Sequence, residues 1–185
     1  FLFMRLKCKI TLRLHNPDLY NRNNSLKLSV LNWIKIKASS KNCDSIISVS
    51  NYTKNLFIDK FGFSIKTTTI HNGVALAKGF PPFENRVPNH VIFVGSLVKK
   101  KGVLELLKAW QIVLETLPSA KLNIYGKDGF LDLNLKASDY ILSLPSKVRD
   151  SIAYYNHVTI EELYEVYRTA SAFVAPSHNE AFALT

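Results

Sequence analysis

Short apolar runs alternate with stretches of helical periodicity along the whole chain, and that alternation limits the fold more than any other feature. Residues 9–14 (KITLRL) alternate like a strand and end at His15-Asn16-Pro17-Asp18, a turn signal. Leu26, Val30, Trp33, Ile34 and Ala38 recur at helical spacing, which predicts a helix over 25–42 with Lys27, Lys35, Lys37 and Lys41 in solvent. Residues 45–49 (SIISV) read as a short buried strand, 52–61 as a helix stopped by Gly62, and 66–70 as a further strand. This order is the signature of a parallel sheet with helical crossovers.

His71-Asn72-Gly73 closes the first unit. Residues 75–89 hold three of the seven prolines and no periodic pattern, so they read as a linker. The rhythm then restarts. A strand is expected over 90–94, and Val103, Leu106, Leu107, Trp110, Leu114 and Leu117 form an amphipathic helix that Pro118 ends. A strand over 121–125, a helix over 136–150 and a strand over 152–155 follow. Thr159 and Glu162 make a capping box before a helix through Leu163, Val166, Tyr167 and Ala170. Residues 172–175 are the last strand, which Pro176 cannot extend. The predicted organisation is one parallel α/β unit over 1–74, a linker over 75–89 and a second unit over 90–185. Such sheets take ligands at the carboxyl ends of their strands.

Composition narrows the class. At 47% hydrophobic and 21% charged residues, wholesale disorder, collagen and coiled coil are excluded. The net charge of +10 is unevenly spread: residues 1–70 carry 12 Lys/Arg against 3 Asp/Glu, and residues 71–185 carry 12 against 11. A basic first unit implies an acidic partner, an anionic membrane surface or nucleic acid. Its aromatics fall at core spacing instead of between the basic residues, which argues against a nucleic-acid-binding module. Cys8 and Cys43 stand far apart with no CxxC, so neither a disulfide framework nor a zinc site is expected, as suits a reducing cytoplasm. No apolar stretch approaches the roughly 20 residues of a membrane span. The chain opens on Phe1 and stops at Thr185 without a terminating signal, and it reads as a piece cut at both ends.

Three places carry chemistry. In residues 91–102 (VIFVGSLVKKKG) a strand ends in Gly95, and Lys99, Lys100 and Lys101 crowd the start of the amphipathic helix at Gly102. Cations there oppose the helix dipole at a few tenths of a kcal/mol each. A broken local rule marks a functional site, and the free N–H groups with three ammonium groups make an anion site, most naturally for phosphate. The same run reads equally as a solvated charge cluster. It has neither the GxGxxG of a dinucleotide fold nor the GK[ST] of a P-loop. Glu180 follows the last strand, where a carboxylate can accept hydrogen bonds from vicinal sugar hydroxyls; alone it reads as a solvated loop residue. His15 sits just past a strand end, a position that suits function, although a lone histidine is more often structural. His71, His90, His157 and His178 show no HxH or HExxH spacing, so no metal site is expected.

These residues resemble the group 1 (family 4) retaining glycosyltransferases, from about His15 to the last residue. The resemblance is carried by CDSIISVSNYTKNLF (43–57), IHNGV (70–74), VIFVGSLVKKKG (91–102), AKLNIYGKDG (120–129) and VTIEELYEVYRTASAFVAPSHNEAFAL (158–184), five pieces in the family's order. It implies an α/β chain of the GT-B type, two Rossmann-like parallel-sheet domains, both incomplete here. It also implies transfer of a sugar from a UDP- or GDP-sugar to a glycan or lipid-linked acceptor, with retention, in cell-surface polysaccharide or lipopolysaccharide synthesis. The enzyme would be a hexosyltransferase, cytoplasmic and peripheral on the inner face of the plasma membrane. The nucleotide-sugar is a substrate, so no cofactor is implied, and this piece alone is expected to be inactive. The alternatives are a sugar-nucleotide epimerase or a phosphorylase on the same fold, or the basic nucleic-acid-binding module.

Position by position, the resemblance gives Gly95 and Ser96 the phosphate-loop place, and Lys101, with Gly102 after it, the grip on the donor diphosphate. Val158 falls in the segment lining the nucleobase pocket. Glu180 matches the first Glu of the family's E-x7-E motif, which contacts the donor sugar. Phe182, Ala183 and Leu184 match the Phe-Gly-Leu whose N–H groups meet the phosphates, and His15 matches the histidine beside the reaction centre. Several positions depart from the pattern. Ser96 replaces Arg, Ala183 replaces Gly, Ala75 stands where Asp often follows Asn-Gly-Val, and His157 replaces a Gly. The motif's second Glu falls beyond Thr185.

Overall fold

A computed structural model describes residues 9–15, 26–64, 66–74 and 82–182. They fall into two units, one running up to Val74 and taking in Glu180, the other running to Asn179. No helix among the described residues is long and apolar enough to cross a membrane.

The first unit is a three-stranded parallel sheet in the order β1-β2-β3, with β1 at Thr11–Leu14, β2 at Ser45–Ser48 and β3 at Thr67–Thr69. Helix α1 (Leu26–Asn42) crosses from β1 to β2, and α2 (Asn51–Phe61) crosses from β2 to β3. Ser50 caps α2 by accepting from the Thr53 amide, and Gly62 ends it in the left-handed conformation (φ 77°), as its sequence predicts. The core gathers Leu14, Cys43, Ile46, Phe57 and Phe61. Cys43 is a buried free thiol, as a small hydrophobe would be; Cys8 lies outside the described residues.

Helix α1 forms where expected but presents a different face. Val30, Trp33 and Ile34, the middle of its apolar stripe, are exposed, whereas Ile36 and Ser40 turn inward. Ser40 can be buried because its hydroxyl donates to the Ile36 carbonyl (2.7 Å), leaving no polar group unpaired. Lys35, Lys37 and Lys41 are exposed, and the side chain of Lys27 lies outside the described residues.

The second unit is a four-stranded parallel sheet in the order β8-β5-β4-β9, with β4 at Val87–Val94, β5 at Lys121–Tyr125, β8 at Ile152–Tyr155 and β9 at Ala170–Phe173. The chain steps outward from β4 through β5 to β8, then returns to the far side of β4 with β9. The reversal makes β4/β9 a topological switch point. Helix α3 (Val103–Thr116) lies over one face: Val103, Leu106, Leu107, Trp110 and Leu114 are all buried against Phe93, Leu122 and Ile124. Helix α6 (Ile160–Thr169) covers the other, where Ile92, Tyr125 and Ala170 meet Val166 and Tyr167. The Thr159/Glu162 capping box that opens α6 is present: Glu162 N donates to Thr159 Oγ1 at 3.2 Å, and Thr159 N to Glu162 Oε2 at 2.7 Å.

Several boundaries differ from the expectation. β4 starts at Val87, three residues inside the expected linker, and a 3-10 turn at Phe83–Asn85 precedes it. The helix expected over 136–150 is two, α4 (Ala137–Ser143) and α5 (Ser146–Arg149), because Pro145 cannot donate a helical hydrogen bond. Before α4 stands an unexpected antiparallel hairpin of β6 (Phe130–Asp132) and β7 (Leu135–Lys136). β9 is shifted two residues earlier, because Ala172 and Phe173 take the register opposite Val91 and Ile92. Lys99–Lys101 form a 3-10 turn before α3, and its first turn holds Glu105 instead. The lysines thus stand just before the N-cap Gly102, at the positive end of the α3 dipole, as expected.

Candidate functional site

The carboxyl edge of the second sheet is tied by hydrogen bonds that run past the strand ends. Gly95 N donates to the Tyr125 carbonyl (2.9 Å), Gly126 N to Tyr155 (3.0 Å) and Leu97 N to Lys127 (2.9 Å). At Gly126 the backbones approach so closely that a Cβ would stand 2.0 Å from the Gly95 carbonyl oxygen, and its φ of 148° suits only glycine. Fixed in this way, the ends of β4, β5 and β8 enclose a cleft of about 500 Å³.

Three of the predicted residues, Gly95, Ser96 and Val158, line it, together with Val94. Besides Gly126, four others without an expected role line it: Tyr125 at the end of β5, and Lys127, Asn156 and His157 in the loops after β5 and β8. All four stand at or just beyond the carboxyl ends of β5 and β8, which is the signal that would have marked them. Tyr125 is an aromatic wall, stacked on Tyr155 at 4.8 Å with planes 7° apart. Burial pushes the Tyr125 phenol above its ordinary pKa, partly offset by the hydrogen bond from Asn123 Nδ2 (3.1 Å), so at neutral pH the wall carries no charge. Asn156 is oriented by accepting from the Asp128 amide (3.3 Å), and its Oδ1 lies 3.2 Å from the Tyr154 hydroxyl.

Lys101 and Gly102 sit at the switch point. Gly102 is left-handed (φ 68°), and a Cβ there would stand 2.0 Å from the Pro176 carbonyl oxygen. His178 N donates to the Lys100 carbonyl (3.0 Å), and His178 Nε2 lies 3.4 Å from Glu105 Oε1. The lysine turn and the loop after β9 are thus one packed piece. Lys99 reaches outward to Asp132 (3.6 Å).

The remaining predicted residues belong to the first unit. His15 is exposed at the end of β1 and lines a hollow of about 180 Å³ with Arg13, Leu14 and Lys35. Arg13 donates to Asn72 Oδ1 (2.6 Å), tying β1 to the loop after β3. Glu180 is partly buried, and the Phe182 ring lies 5.4 Å from the His71 ring. Ala183 and Leu184 lie outside the described residues. Among the described residues no group of three or more His, Cys, Asp or Glu side chains is placed to hold a metal.

Two parallel-sheet units, the second with its cleft at the strand ends, define a Rossmann-like α/β chain, and its solved neighbours give the fold class as GT-B. The profile of the group 1 glycosyl transferases matches residues 80–185, and that of glycosyltransferase family 4 matches residues 1–78; the chain belongs to the group 1 glycosyl transferases. Among its relatives, an uncharacterized glycosyltransferase of Haemophilus influenzae is 27% identical over 77% of this chain and 38% of its own length. A glycogen synthase of Mycobacterium tuberculosis is 28% identical over 76% of this chain and 34% of its own. A mutant of S. aureus TarM, solved in complex with Fondaparinux, alpha-GlcNAc-glycerol and UDP, superposes with a TM-score of 0.74 at 15% identity, over 95% of this chain and 34% of that one. The chain spans little more than a third of the length of the curated relatives it matches.

Proposed function

We propose that the protein transfers a sugar from a nucleotide-sugar donor to a glycan or lipid-linked acceptor, with the donor's nucleotide in the cleft at the ends of β4, β5 and β8. The observation that carries this reading is the cleft itself, on whose wall Gly95, Ser96 and Val158 come together from separate stretches of chain. UDP bound to the similar TarM fold supports a nucleoside diphosphate leaving group.

In the reaction the bond between the anomeric carbon and the diphosphate oxygen breaks, and its electron pair stays on the diphosphate. An acceptor hydroxyl oxygen bonds to the anomeric carbon, and its proton passes to the departing diphosphate. Lys101 and the N-terminal amides of α3, which lie beyond a Gly102 amide already bonded to the Lys99 carbonyl (3.0 Å), stabilise the charge growing on the diphosphate, an electrostatic contribution of several kcal/mol in such sites. Glu180 holds the sugar hydroxyls, and His15 hydrogen-bonds the donor near the reacting carbon. Retention of configuration and a role in cell-surface polysaccharide or lipopolysaccharide synthesis follow from the family resemblance.

The basic first unit fits an anionic membrane leaflet carrying the acceptor. Helix α1 contains four lysines and no acidic residue, and beside its exposed Val30, Trp33 and Ile34 the Lys37 ammonium stands 4.4 Å from the Trp33 ring centre. The deciding experiment assays the full-length protein with a panel of UDP- and GDP-sugars, scoring nucleotide release with and without acceptor. Acceptor-dependent release that disappears in Glu180→Ala supports the reading. Release of no nucleotide from any donor removes it, and a C2-inverted sugar nucleotide as product makes the protein an epimerase instead.

A further inference from the structure

The geometry points to Lys127 as a cation in the nucleotide cleft that pairs with the donor's diphosphate, a second one besides Lys101. The inference rests on the nucleotide-sugar reading above. Its basis is the charge of the wall. The cleft is lined by Ser96, Asn156, His157 and Lys127 as polar side chains, with Val94, Tyr125, Val158 and two glycines completing it, and no carboxylate among them. A cleft whose described lining offers donors and no acid is suited to an anion, and among those described residues the lysine is Lys127.

The backbone fixes where that ammonium starts. The Lys127 carbonyl accepts from Leu97 N at 2.9 Å, and the adjacent Gly126 touches the Gly95 backbone. Lys127 is therefore held beside the Gly95-Ser96 turn by the same contacts that shape the cleft. The nearest acid in sequence, Asp128, makes no ion pair with it. The Asp128 carboxylate accepts from Gly129 N (2.9 Å), Ser138 N (3.2 Å) and Ser138 Oγ (2.8 Å), so both of its oxygens are committed to the start of α4. No carboxylate among the described residues pairs with Lys127, in contrast to Lys99, which Asp132 holds. An exposed lysine in a cleft with no acid to meet it has its full charge available for a ligand.

The test measures, in the full-length protein, the affinities of UDP and GDP and of the matching nucleosides uridine and guanosine by titration calorimetry. Lys127→Met keeps the apolar stem and removes the charge. It is expected to weaken the preferred nucleoside diphosphate about tenfold while changing nucleoside affinity less than twofold. Lys127→Arg should restore most of the loss, and Lys147→Ala, on α5, should change nothing. Unchanged diphosphate affinity in Lys127→Met overturns the inference. An equal loss for diphosphate and nucleoside overturns it too, because the side chain would then be shaping the base pocket. If the unmodified protein binds none of the four, the nucleotide reading itself fails, and Lys127 loses its ligand with it.

Discussion

The chain has two tryptophans, each inside an amphipathic helix that crosses a parallel sheet, and the structure treats them oppositely. Trp110 on α3 is 3% exposed, and its indole N–H donates to Ser151 Oγ at 2.9 Å. Trp33 on α1 is 36% exposed, with the Phe61 ring 6.2 Å to one side and the Lys37 ammonium 4.4 Å from its centre. Periodicity says that a helix has an apolar stripe; it does not say what covers that stripe. Over α3 the cover is the sheet on one side and α4 and α5 alongside. Over α1, the described residues bring the sheet to Ile36 and Ser40 instead.

The sharpest way to break this comparison is to truncate both rings. Trp110→Ala should cost about 3–5 kcal/mol, since it empties a close-packed site and removes the indole donor to Ser151 Oγ, which keeps its own bond to the Val148 carbonyl. Trp33→Ala should cost less than about 1 kcal/mol, as surface changes do, while lowering binding to anionic vesicles. Urea melts of the two variants, with vesicle sedimentation of the second, decide it. Equal losses of stability would mean that α1's stripe is covered in the working protein, and unchanged sedimentation would remove the membrane reading.

A second difference between the units is the division of charge chemistry, and Lys101 tests it. Lys101→Ala should raise the donor KM and lower kcat, for a combined loss on the order of a hundredfold in kcat/KM. Steady-state kinetics with varied donor measure this, and unchanged constants would take Lys101 out of the mechanism.

The smallest expected effect concerns His90 on β4. Its ring nitrogens are buried without partners among the described residues, and burial holds the imidazole below its ordinary 6.5. The unfolded chain therefore takes up the proton first. Stability is complete above about pH 6.5 and declines as the pH falls below it toward the folded value. In His90→Leu that part of the decline should be missing from urea melts between pH 7 and 5. An unaltered pH profile would assign the decline to other groups.

Much of the fold was legible because it is local. Ser50 and Gly62 bracket α2, Thr159 and Glu162 open α6, and α3's stripe is written in one stretch of chain. Gly95, Ser96 and Val158 lie in stretches recognisable from the sequence, and all three line the cleft. What escaped depends on partners far away in sequence. Which face α1 buries depends on the sheet beneath it, and the strand bounds of β9 depend on its register with β4. The β6–β7 hairpin is too short to show a period. Lys127 lines the cleft only because β5 pairs with β4, since nothing in GKDG itself distinguishes it from a solvated turn.

The hydrogen bonds that run past the strand ends bear on affinity as well as on shape. Gly95, Leu97 and Gly126 follow the strands as loop residues, yet their amides are bonded as strand amides are. They should exchange with solvent as slowly as the sheet does. A ligand entering the cleft then finds the loops already ordered, and little of its binding free energy is lost to freezing them. Selectivity would rest on what the walls present rather than on how they move.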